Sequence, residues 1–115
     1  MHELSIVMSI VDTVEKEREK QQADVVESIE LDIGMISGVE MEAFYFAWNA
    51  GVSNTILQKT NLKINRPPAK ARCTACGKTF VAASSFDACP KCGNPFCDIL
   101  SGKELRIRRM TVIKN

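Results

Sequence analysis

The sequence is poor in the side chain that most enzymes use for proton transfer, because His2 is the one histidine among 115 residues. It also lacks a glycine-rich motif of the kind that cradles nucleotide phosphates. With no spare imidazole for general acid or base work, the sequence does not support a catalytic site. We therefore predict a protein that is not an enzyme.

An excess of charge and a long apolar stretch are missing as well. The formal net charge is +1, so no overall field attracts the chain to nucleic acid or to an acidic membrane surface. Asp12 and Glu15 interrupt the first apolar stretch, and no cationic leader precedes it, so neither an export signal nor a membrane span is expected. We predict a cytoplasmic protein with reduced thiols and with no nucleic-acid or membrane partner.

Four of the five cysteines form two Cys-x-x-Cys pairs that twelve residues separate, and a glycine follows each pair: Cys73, Cys76 and Gly77, then Cys89, Cys92 and Gly93. Zn²⁺ binds four thiolates in a tetrahedron, and each pair can place two sulfurs on one side of a tight turn. Glycine permits the positive φ that such a turn is expected to need. The pattern predicts a structural zinc site with no open position for catalysis, and a reduced compartment disfavours disulfides.

Two other uses of a four-cysteine module fit less well. A zinc ribbon that binds nucleic acid or takes part in transcription is the alternative function, but it needs a clustered basic face with aromatic platforms, and residues 69–101 carry few basic side chains. An electron-transfer iron site of the rubredoxin kind would need a longer gap between the pairs. Cys97, the fifth cysteine, is expected to be a small, inert hydrophobe.

Hydrophobic periodicity predicts a helix followed by a strand at the start of the chain. In residues 25–33, apolar side chains alternate with Glu30 and Asp32, as in a strand with one wet face. The helix would span residues 4 to about 21. It would bury a stripe formed by Leu4, Val7, Met8, Val11 and Val14.

A second helix is expected after Ser37-Gly-Val-Glu40, because a serine and a glutamate three residues later can form a capping box. Gly51 would end this helix in the left-handed conformation. A short strand over residues 62–65 would follow, and strand character returns after Gly102. The apolar stripe of the second helix would consist of Met41, Phe44, Tyr45 and Trp48.

These elements predict an α+β fold, in which a small sheet of about three strands packs with two helices and a zinc-ribbon-like module is inserted. The predicted domains are residues 1–68 with 102–115, and the inserted module 69–101. Because the module has few aliphatic residues, we expect it to depend on metal binding in order to fold.

The N-terminus offers a second and chemically different metal site. The amine of Met1 and the amide and ring nitrogens of His2 can close consecutive chelate rings around one cation, and Glu3 adds another nitrogen or a carboxylate. We expect Met1 to be retained, because removal of the first methionine generally requires a small second residue. Planar, nitrogen-rich sites of this kind favour Ni(II) or Cu(II) over Zn²⁺.

The chain as a whole resembles the HypA/HybF family of hydrogenase nickel-incorporation proteins. The most specific element is the combination of an N-terminal Met-His-Glu with the four-cysteine module. The resemblance implies a nickel metallochaperone that helps to load a [NiFe]-hydrogenase precursor, with urease as a further client. The segments that carry it are Met1-His-Glu-Leu-Ser5, Ile33-Gly34 leading to Ser37-Gly-Val-Glu40, the two cysteine pairs, and Gly102-Lys-Glu-Leu-Arg-Ile107.

The resemblance also implies ligands and partners. Nickel is assigned to Met1, His2 and Glu3, with Glu40 as a further candidate. A HypB-type GTPase, the hydrogenase large subunit and urease accessory proteins are the implied partners, and we expect a monomer or a weak homodimer. No histidine lies near the cysteines, so a pH-dependent exchange of zinc ligands is not expected. Structural zinc is assigned to Cys73, Cys76, Cys89 and Cys92.

Overall fold

A computed structural model describes residues 2–114 of the chain. Among these residues, neither helix combines the length and the apolar character needed to cross a membrane. The chain folds into two compact units. The first contains the chain up to Leu31, Val39–Ile64 and the chain from Ile107 onward, and the second contains Asp32–Gly38 and Asn65–Arg106.

The first helix and the first strand of the chain occupy the ranges that periodicity predicts. Helix α1 spans Glu3–Gln21 and strand β1 spans Val25–Ile33. The predicted stripe is wrong at Leu4 and Met8, which are 53% and 44% exposed. Both lie beside the buried stripe of the helix and not at its centre. The buried side chains of α1 are Val7, Ile10, Val11 and Val14.

The second helix, α2 (Met41–Gly51), begins later than a capping box at Ser37 requires. Glu40 itself is the N-cap, so the predicted pairing of Ser37 with Glu40 across a helical turn is wrong. The reason is Gly38, whose φ of +85° takes the backbone out of the helical region between these two residues. The Glu40 carboxylate accepts hydrogen bonds from the backbone N–H groups of Glu42 and Ala43.

The end of α2 also differs from the expectation. The residue after the helix, Val52, has a right-handed conformation with φ of −86°, so Gly51 is not a left-handed cap. Gly51 instead allows close approach, because a Cβ there would lie 2.8 Å from Cγ1 of Val7 on α1. Phe44 and Trp48 are buried and stack with ring centroids 6.2 Å apart, as expected of the apolar stripe, whereas Tyr45 is exposed.

Three strands form the sheet that accompanies the two helices. Strand β1 lies between β2 (Asn61–Asn65) and β6 (Leu105–Ile113), in the order β2-β1-β6. Because β2 and β6 belong to the same sheet, the chain between them is an insertion. The predicted α+β fold, with a three-stranded sheet, two helices and an inserted four-cysteine module, is confirmed.

The insertion contains a second small sheet, in the order β4-β3-β5. Strand β3 (Lys70–Cys73) pairs antiparallel with both β4 (Thr79–Val81) and β5 (Cys97–Ser101). Three buried alanines form the core of this unit, and they provide little apolar surface. They are Ala69, Ala71 and Ala82, against which Ile36, Phe80, Cys97 and Ile99 pack.

Asp32 on β1 was expected to face water, but its side chain is 1% exposed. Its carboxylate accepts hydrogen bonds from Nδ2 of Asn65 at 3.0 Å and from Nε of Arg106 at 2.9 Å. A buried carboxylate requires such partners, because an unpaired charge away from water is costly. The alternation of β1 therefore marks a buried polar contact at this position and not a solvated face.

We expect the substitution Asp32→Ala to destabilise the fold by about 1–3 kcal/mol, because Asn65 and Arg106 would each lose an acceptor in a partly buried place. Urea unfolding at a fixed zinc concentration measures the change. The matched control is Glu27→Ala, at an exposed position of the same strand, which should change stability by no more than about 0.5 kcal/mol. Equal losses in the two variants would contradict the role assigned to Asp32.

Candidate metal centre

The first cysteine pair lies where β3 ends. Cys73 is the last residue of that strand and is buried, whereas Cys76 is exposed. The backbone N–H groups of Ala75 and Cys76 each approach Sγ of Cys73 at 3.4 Å. Gly77 donates its N–H to the Cys73 carbonyl at 3.1 Å and has φ of +76°, which confirms the predicted conformation. The turn is therefore wrapped around the first sulfur, with donors directed at it.

The second pair repeats this backbone pattern. Cys89 is buried and Cys92 is exposed. The N–H of Lys91 approaches Sγ of Cys89 at 3.4 Å, and Gly93 donates to the Cys89 carbonyl at 2.9 Å. Gly93 has φ of +77°, again as predicted. Each pair thus forms a knuckle, by which we mean the tight turn that begins at the first cysteine and ends at the glycine.

The two knuckles bring their sulfurs together. Within residues 2–114, the four cysteines are the one group of cysteine, histidine or acidic side chains whose ligand atoms are clustered as in a metal site. Their four Sγ atoms lie within 4.8 Å of one another. Sγ of Cys73 is 3.5 Å from Sγ of Cys92, and Sγ of Cys76 is 3.6 Å from Sγ of Cys89. Four sulfurs at zinc–sulfur distances would form a tetrahedron with edges of about 3.8 Å. The cysteines are free thiols, positioned for a metal ion.

Protons are held unevenly in this cluster. The N–H of Cys76, together with a hydrogen bond from the Asn94 side chain, lowers the pKa of the Cys73 thiol to about 5. At Cys92, a hydrogen bond from the N–H of Asn94 favours the thiolate, but hydrogen bonding with Cys73 and burial outweigh it and raise the pKa to about 12. At neutral pH the metal-free cluster therefore contains at least one thiolate beside a protonated thiol. A cation would displace the remaining protons.

Cys97 is the first residue of β5 and lies opposite Cys73 in the strand register. It is half-buried and packs against the alanine core of the second unit. Its Sγ lies 3.6 Å from the carbonyl oxygen of Asn94, and burial raises the pKa of its thiol. These contacts are those of a protonated side chain in a packing role.

The residues predicted to bind nickel lie at the start of α1. His2 is the exposed N-cap of that helix, with an extended backbone and no capping hydrogen bond from its side chain. Glu3 is half-buried, and its Oε2 accepts a hydrogen bond from the backbone N–H of Glu40 at 3.2 Å. This N–H holds the pKa of the Glu3 carboxyl below its ordinary value. Met1, the other predicted ligand, lies outside the described residues.

Glu3 thus connects the start of α1 to the start of α2. The Glu40 carboxylate is engaged in capping α2, with its oxygens 3.2 Å and 2.7 Å from two backbone nitrogens. Within residues 2–114, the ligand atoms of His2, Glu3 and Glu40 do not form a cluster of the kind seen for the cysteines. The structure therefore brings Glu3 to the backbone of Glu40, while the side chain of His2 stays exposed.

The comparison with known families covers nearly the whole chain. The family model described as hydrogenase/urease nickel incorporation, metallochaperone, hypA matches residues 1–112. This chain belongs to the HypA family. Hydrogenase maturation factor HypA of Prosthecochloris aestuarii is 39% identical over 112 residues, which cover 97% of this chain and 99% of that protein. The HypA of Parabacteroides distasonis is 38% identical over 114 residues, with 99% of each chain covered.

Solved HypA structures have the same fold. The solution structure of the Ni metallochaperone HypA from Helicobacter pylori matches with a TM-score of 0.70 at 24% identity and covers 100% of both chains. A second solution structure of a HypA protein matches with a TM-score of 0.73 at 25% identity, covering 100% of this chain and 98% of the other. The likeness to the Helicobacter pylori protein shows the fold alone.

Membership of the HypA family decides between the classes of function considered for the sequence. HypA proteins are hydrogenase nickel metallochaperones and not enzymes, so the prediction of a non-enzyme is confirmed. The predicted resemblance is confirmed with it. The alternative of a nucleic-acid-binding zinc ribbon is replaced by a metallochaperone with a four-cysteine metal site.

One residue of the HypA metal centre was not predicted from the sequence. Asn94 follows the glycine of the second knuckle, and its Nδ2 lies 3.5 Å from Sγ of Cys73 in the first knuckle. Its position directly after a Cys-x-x-Cys-Gly turn is the signal that could have drawn attention to it. Asn94 and Cys73 are 21 residues apart in the chain, so the spacing of the cysteines does not indicate that they are in contact.

We expect zinc uptake by this HypA chain at pH 7 to release fewer than four protons. The pKa of Cys73 is lowered, so this thiol has lost its proton above about pH 5 and contributes none at pH 7. The number should rise when the pH is lowered towards 5, where Cys73 regains its proton. Zinc titration of the metal-free chain in weakly buffered solution with a pH indicator counts the protons.

The control for this titration is Cys97→Ser, because Cys97 is protonated and is not among the four clustered cysteines. This variant should release the same number of protons as the native chain. Release of four protons at pH 7 would contradict the uneven distribution of protons in the cluster.

Proposed function

We propose that this protein binds one Ni(II) at its N-terminus and helps to deliver it to a [NiFe]-hydrogenase precursor during maturation, while its four cysteines hold Zn²⁺. Urease is proposed as a second client. The observation that carries the proposal is the exposed imidazole of His2 at the start of α1, next to Glu3 in the chain and not among the four clustered cysteines. In this proposal, residues 1–68 with 102–115 form the nickel-binding domain and residues 69–101 form the zinc-binding module.

The chemistry of the cysteine cluster supports a resident ion and not a transported one. Four thiolates complete the tetrahedral coordination that Zn²⁺ adopts in structural sites, so no position stays open for an incoming ligand. Donors are also directed at the sulfurs: Cys73 and Cys89 each accept N–H groups from their own knuckles. Such outer contacts strengthen metal binding. An ion held in this way is poorly suited to rapid transfer.

The N-terminus has the opposite properties. Amine, amide and imidazole nitrogens form the planar set that Ni(II) prefers, and they would come from Met1 and His2. The exposure of His2 leaves the metal accessible to an acceptor protein, which could replace the ligands one at a time. Because nitrogen ligands must lose their protons to bind, nickel binding should weaken as the pH falls.

Glu3 and Glu40 are proposed as additional ligands with different costs. Glu3 follows His2 in the chain. One of its carboxylate oxygens accepts a hydrogen bond from the backbone N–H of Glu40, which holds the carboxylate at the start of α2. Glu40 would have to release the N-cap of α2 in order to bind nickel, and loss of a cap costs about 1 kcal/mol. We therefore assign Met1, His2 and Glu3 as the primary set and Glu40 as a further candidate.

The proposed partners follow from the proposed task. A HypB-type GTPase and the hydrogenase large subunit are the proteins with which this chain would exchange nickel, and urease accessory proteins are the corresponding partners for urease. A monomer or a weak homodimer in the cytoplasm would suit transient contacts with each of them. Reduced thiols in that compartment would keep the four cysteines available for zinc.

To test the nickel site, Ni(II) is titrated calorimetrically into the zinc-loaded native chain, His2→Ala, and a chain lengthened by one residue before Met1. We expect the native chain to bind about one Ni(II) with planar, nitrogen-rich coordination, visible in the absorption of the bound ion. Both altered chains should bind at least about tenfold more weakly, because even the loss of an outer contact costs that much.

Glu40→Gln serves as the comparison for the nickel test, because it keeps one oxygen for the N-cap and removes the negative charge. Its helical content should match that of the native chain, and any loss of nickel affinity then measures the contribution of Glu40 as a ligand. Equal, tight nickel binding by the native chain, His2→Ala and the lengthened chain would rule out the N-terminal site.

To test the zinc assignment, metal content and thermal unfolding are compared between the native chain and Cys76→Ser. With one thiolate missing, the second unit should lose its zinc and unfold at lower temperature, because its alanine core is small and its folding depends on the ion. Helices α1 and α2 should remain, and far-ultraviolet circular dichroism reports them. Full zinc content and native melting in this variant would exclude the four-cysteine site.

A further inference from the structure

The amide side chain of Asn94 joins the two knuckles. Its Nδ2 lies 3.5 Å from Sγ of Cys73, 3.0 Å from Oγ1 of Thr74 and 3.1 Å from the carbonyl oxygen of Phe96. Its Oδ1 accepts the N–H of Phe96 at 3.1 Å. The half-buried side chain is therefore fixed in one orientation, with its donor group directed at a sulfur of the opposite knuckle.

The backbone of Asn94 contacts the cysteines of its own knuckle. Its carbonyl oxygen accepts the N–H of Cys89 at 2.9 Å, and its N–H donates to Sγ of Cys92. One residue thus touches three of the four cysteines. Two of these contacts come from the backbone and do not depend on the type of side chain, whereas the contact with Cys73 comes from the amide group.

The corresponding position of the first knuckle shows what the amide adds. Lys78 follows Gly77 as Asn94 follows Gly93, and its carbonyl oxygen accepts the N–H of Cys73 at 2.9 Å. The backbone arrangement is therefore the same in both knuckles. Over the described part of the chain, however, the exposed Lys78 side chain makes no hydrogen bond or ion pair. Of the two residues that follow the knuckles, Asn94 therefore donates from its side chain to a sulfur of the opposite knuckle, and Lys78 does not.

We propose that Asn94 is a positioning residue of the four-cysteine metal centre, whose amide holds the Cys73 thiolate in the geometry for the ion and slows loss of the ion. The inference rests on the proposed binding of zinc by these cysteines. Four thiolates around a divalent cation carry a net charge of −2, and N–H donors to sulfur reduce the repulsion among them. The amide also prevents the two knuckles from separating by connecting them directly.

The side chain at this position has to donate through nitrogen. In Asn94→Asp the shape is kept, but an oxygen replaces the donor nitrogen and would face the Cys73 thiolate. In Asn94→Ala the N–H of Phe96 loses its side-chain acceptor and Cys73 loses its donor, while the carbonyl oxygen of Phe96 keeps its hydrogen bonds from Thr74. We therefore expect both substitutions to weaken metal binding, and the aspartate to weaken it more.

The test uses the full-length, zinc-loaded chain and transfer of zinc to a coloured chelator. Relative to the native chain, Asn94→Ala should bind zinc about tenfold more weakly, within the range known for loss of an outer contact. Asn94→Asp should lose more. Lys78→Ala, at the matching exposed position of the other knuckle, should stay within about twofold of the native chain.

Cobalt replaces zinc to distinguish a contact with sulfur from a general loosening of the turn. Removal of the donor to Cys73 should shift the thiolate-to-cobalt charge-transfer band in Asn94→Ala and in Asn94→Asp. The matched control is Thr74→Val, which removes hydrogen bonds of Thr74 with Asn94 and Phe96 but leaves the donor to Cys73 in place. Its band should stay at the native position even if its affinity falls.

Three results would overturn the inference. Native zinc affinity and a native band in both Asn94 variants would show that the amide has no role. An equal band shift in Thr74→Val would show that the turn, and not the donor to sulfur, is responsible. A native chain that binds no zinc would overturn the proposed zinc site itself, and the inference with it. Because Asn94→Asp keeps the shape of the side chain, the cobalt band remains measurable where Asn94→Ala fails to fold.

Discussion

Repulsion among closely spaced sulfur atoms, and its relief by a cation, is the constraint on which the second unit depends. Four Sγ atoms lie within 4.8 Å of one another, and without an ion they can share that space only by keeping protons on some of them. The inserted module has little apolar surface with which to substitute for this interaction, because its hydrophobic cluster is built on three small alanines. This one cluster is surrounded by N–H groups that donate to sulfur and by the two tight turns in which the glycines have positive φ. Strand β3 ends at its first cysteine.

The two predicted metal sites differ in the kind of ligand that they offer and in their exposure. The cysteine cluster offers four ligands of one kind in a closed tetrahedron, which favours retention. The N-terminus offers mixed ligands at the exposed start of a helix, which favours transfer. Membership of the HypA family agrees with this proposed division, because a nickel-incorporation protein has to release its cargo.

The parts of the fold that depend on neighbouring residues could be predicted from the sequence, and those that depend on distant residues could not. The cysteine pairs and their glycines are local, so their spacing predicted both the turns and the positive φ of Gly77 and Gly93. The burial of Asp32 depends on partners 33 and 74 residues further along the chain. The alternating pattern of a strand cannot distinguish a carboxylate in water from one that distant residues enclose.

The helix cap is a local feature that was nevertheless misplaced, whereas the metal centre again includes a contact between distant residues. The capping box was misplaced because Gly38 adopts a left-handed conformation, which the motif itself does not reveal. Asn94 could not be recognised as part of the centre, because its contact with Cys73 forms only when both knuckles are folded. By contrast, the three-stranded sheet was predictable from strand phase and from the return of strand character after the module.

The pairing of β3 with β5 has a consequence for chain entropy. Lys70 lies opposite Ser101, so the pairing of β3 with β5 holds the two ends of the inserted module side by side. With these two ends paired, the long connection from β2 to β6 has the chain entropy of a short one. With the module unfolded, the larger sheet alone would have to close the whole segment between β2 and β6, residues 66–104, as a flexible loop, at a cost that grows with the logarithm of loop length. A cation bound among the cysteines thereby acts, like a distant crosslink, on strands that it does not touch.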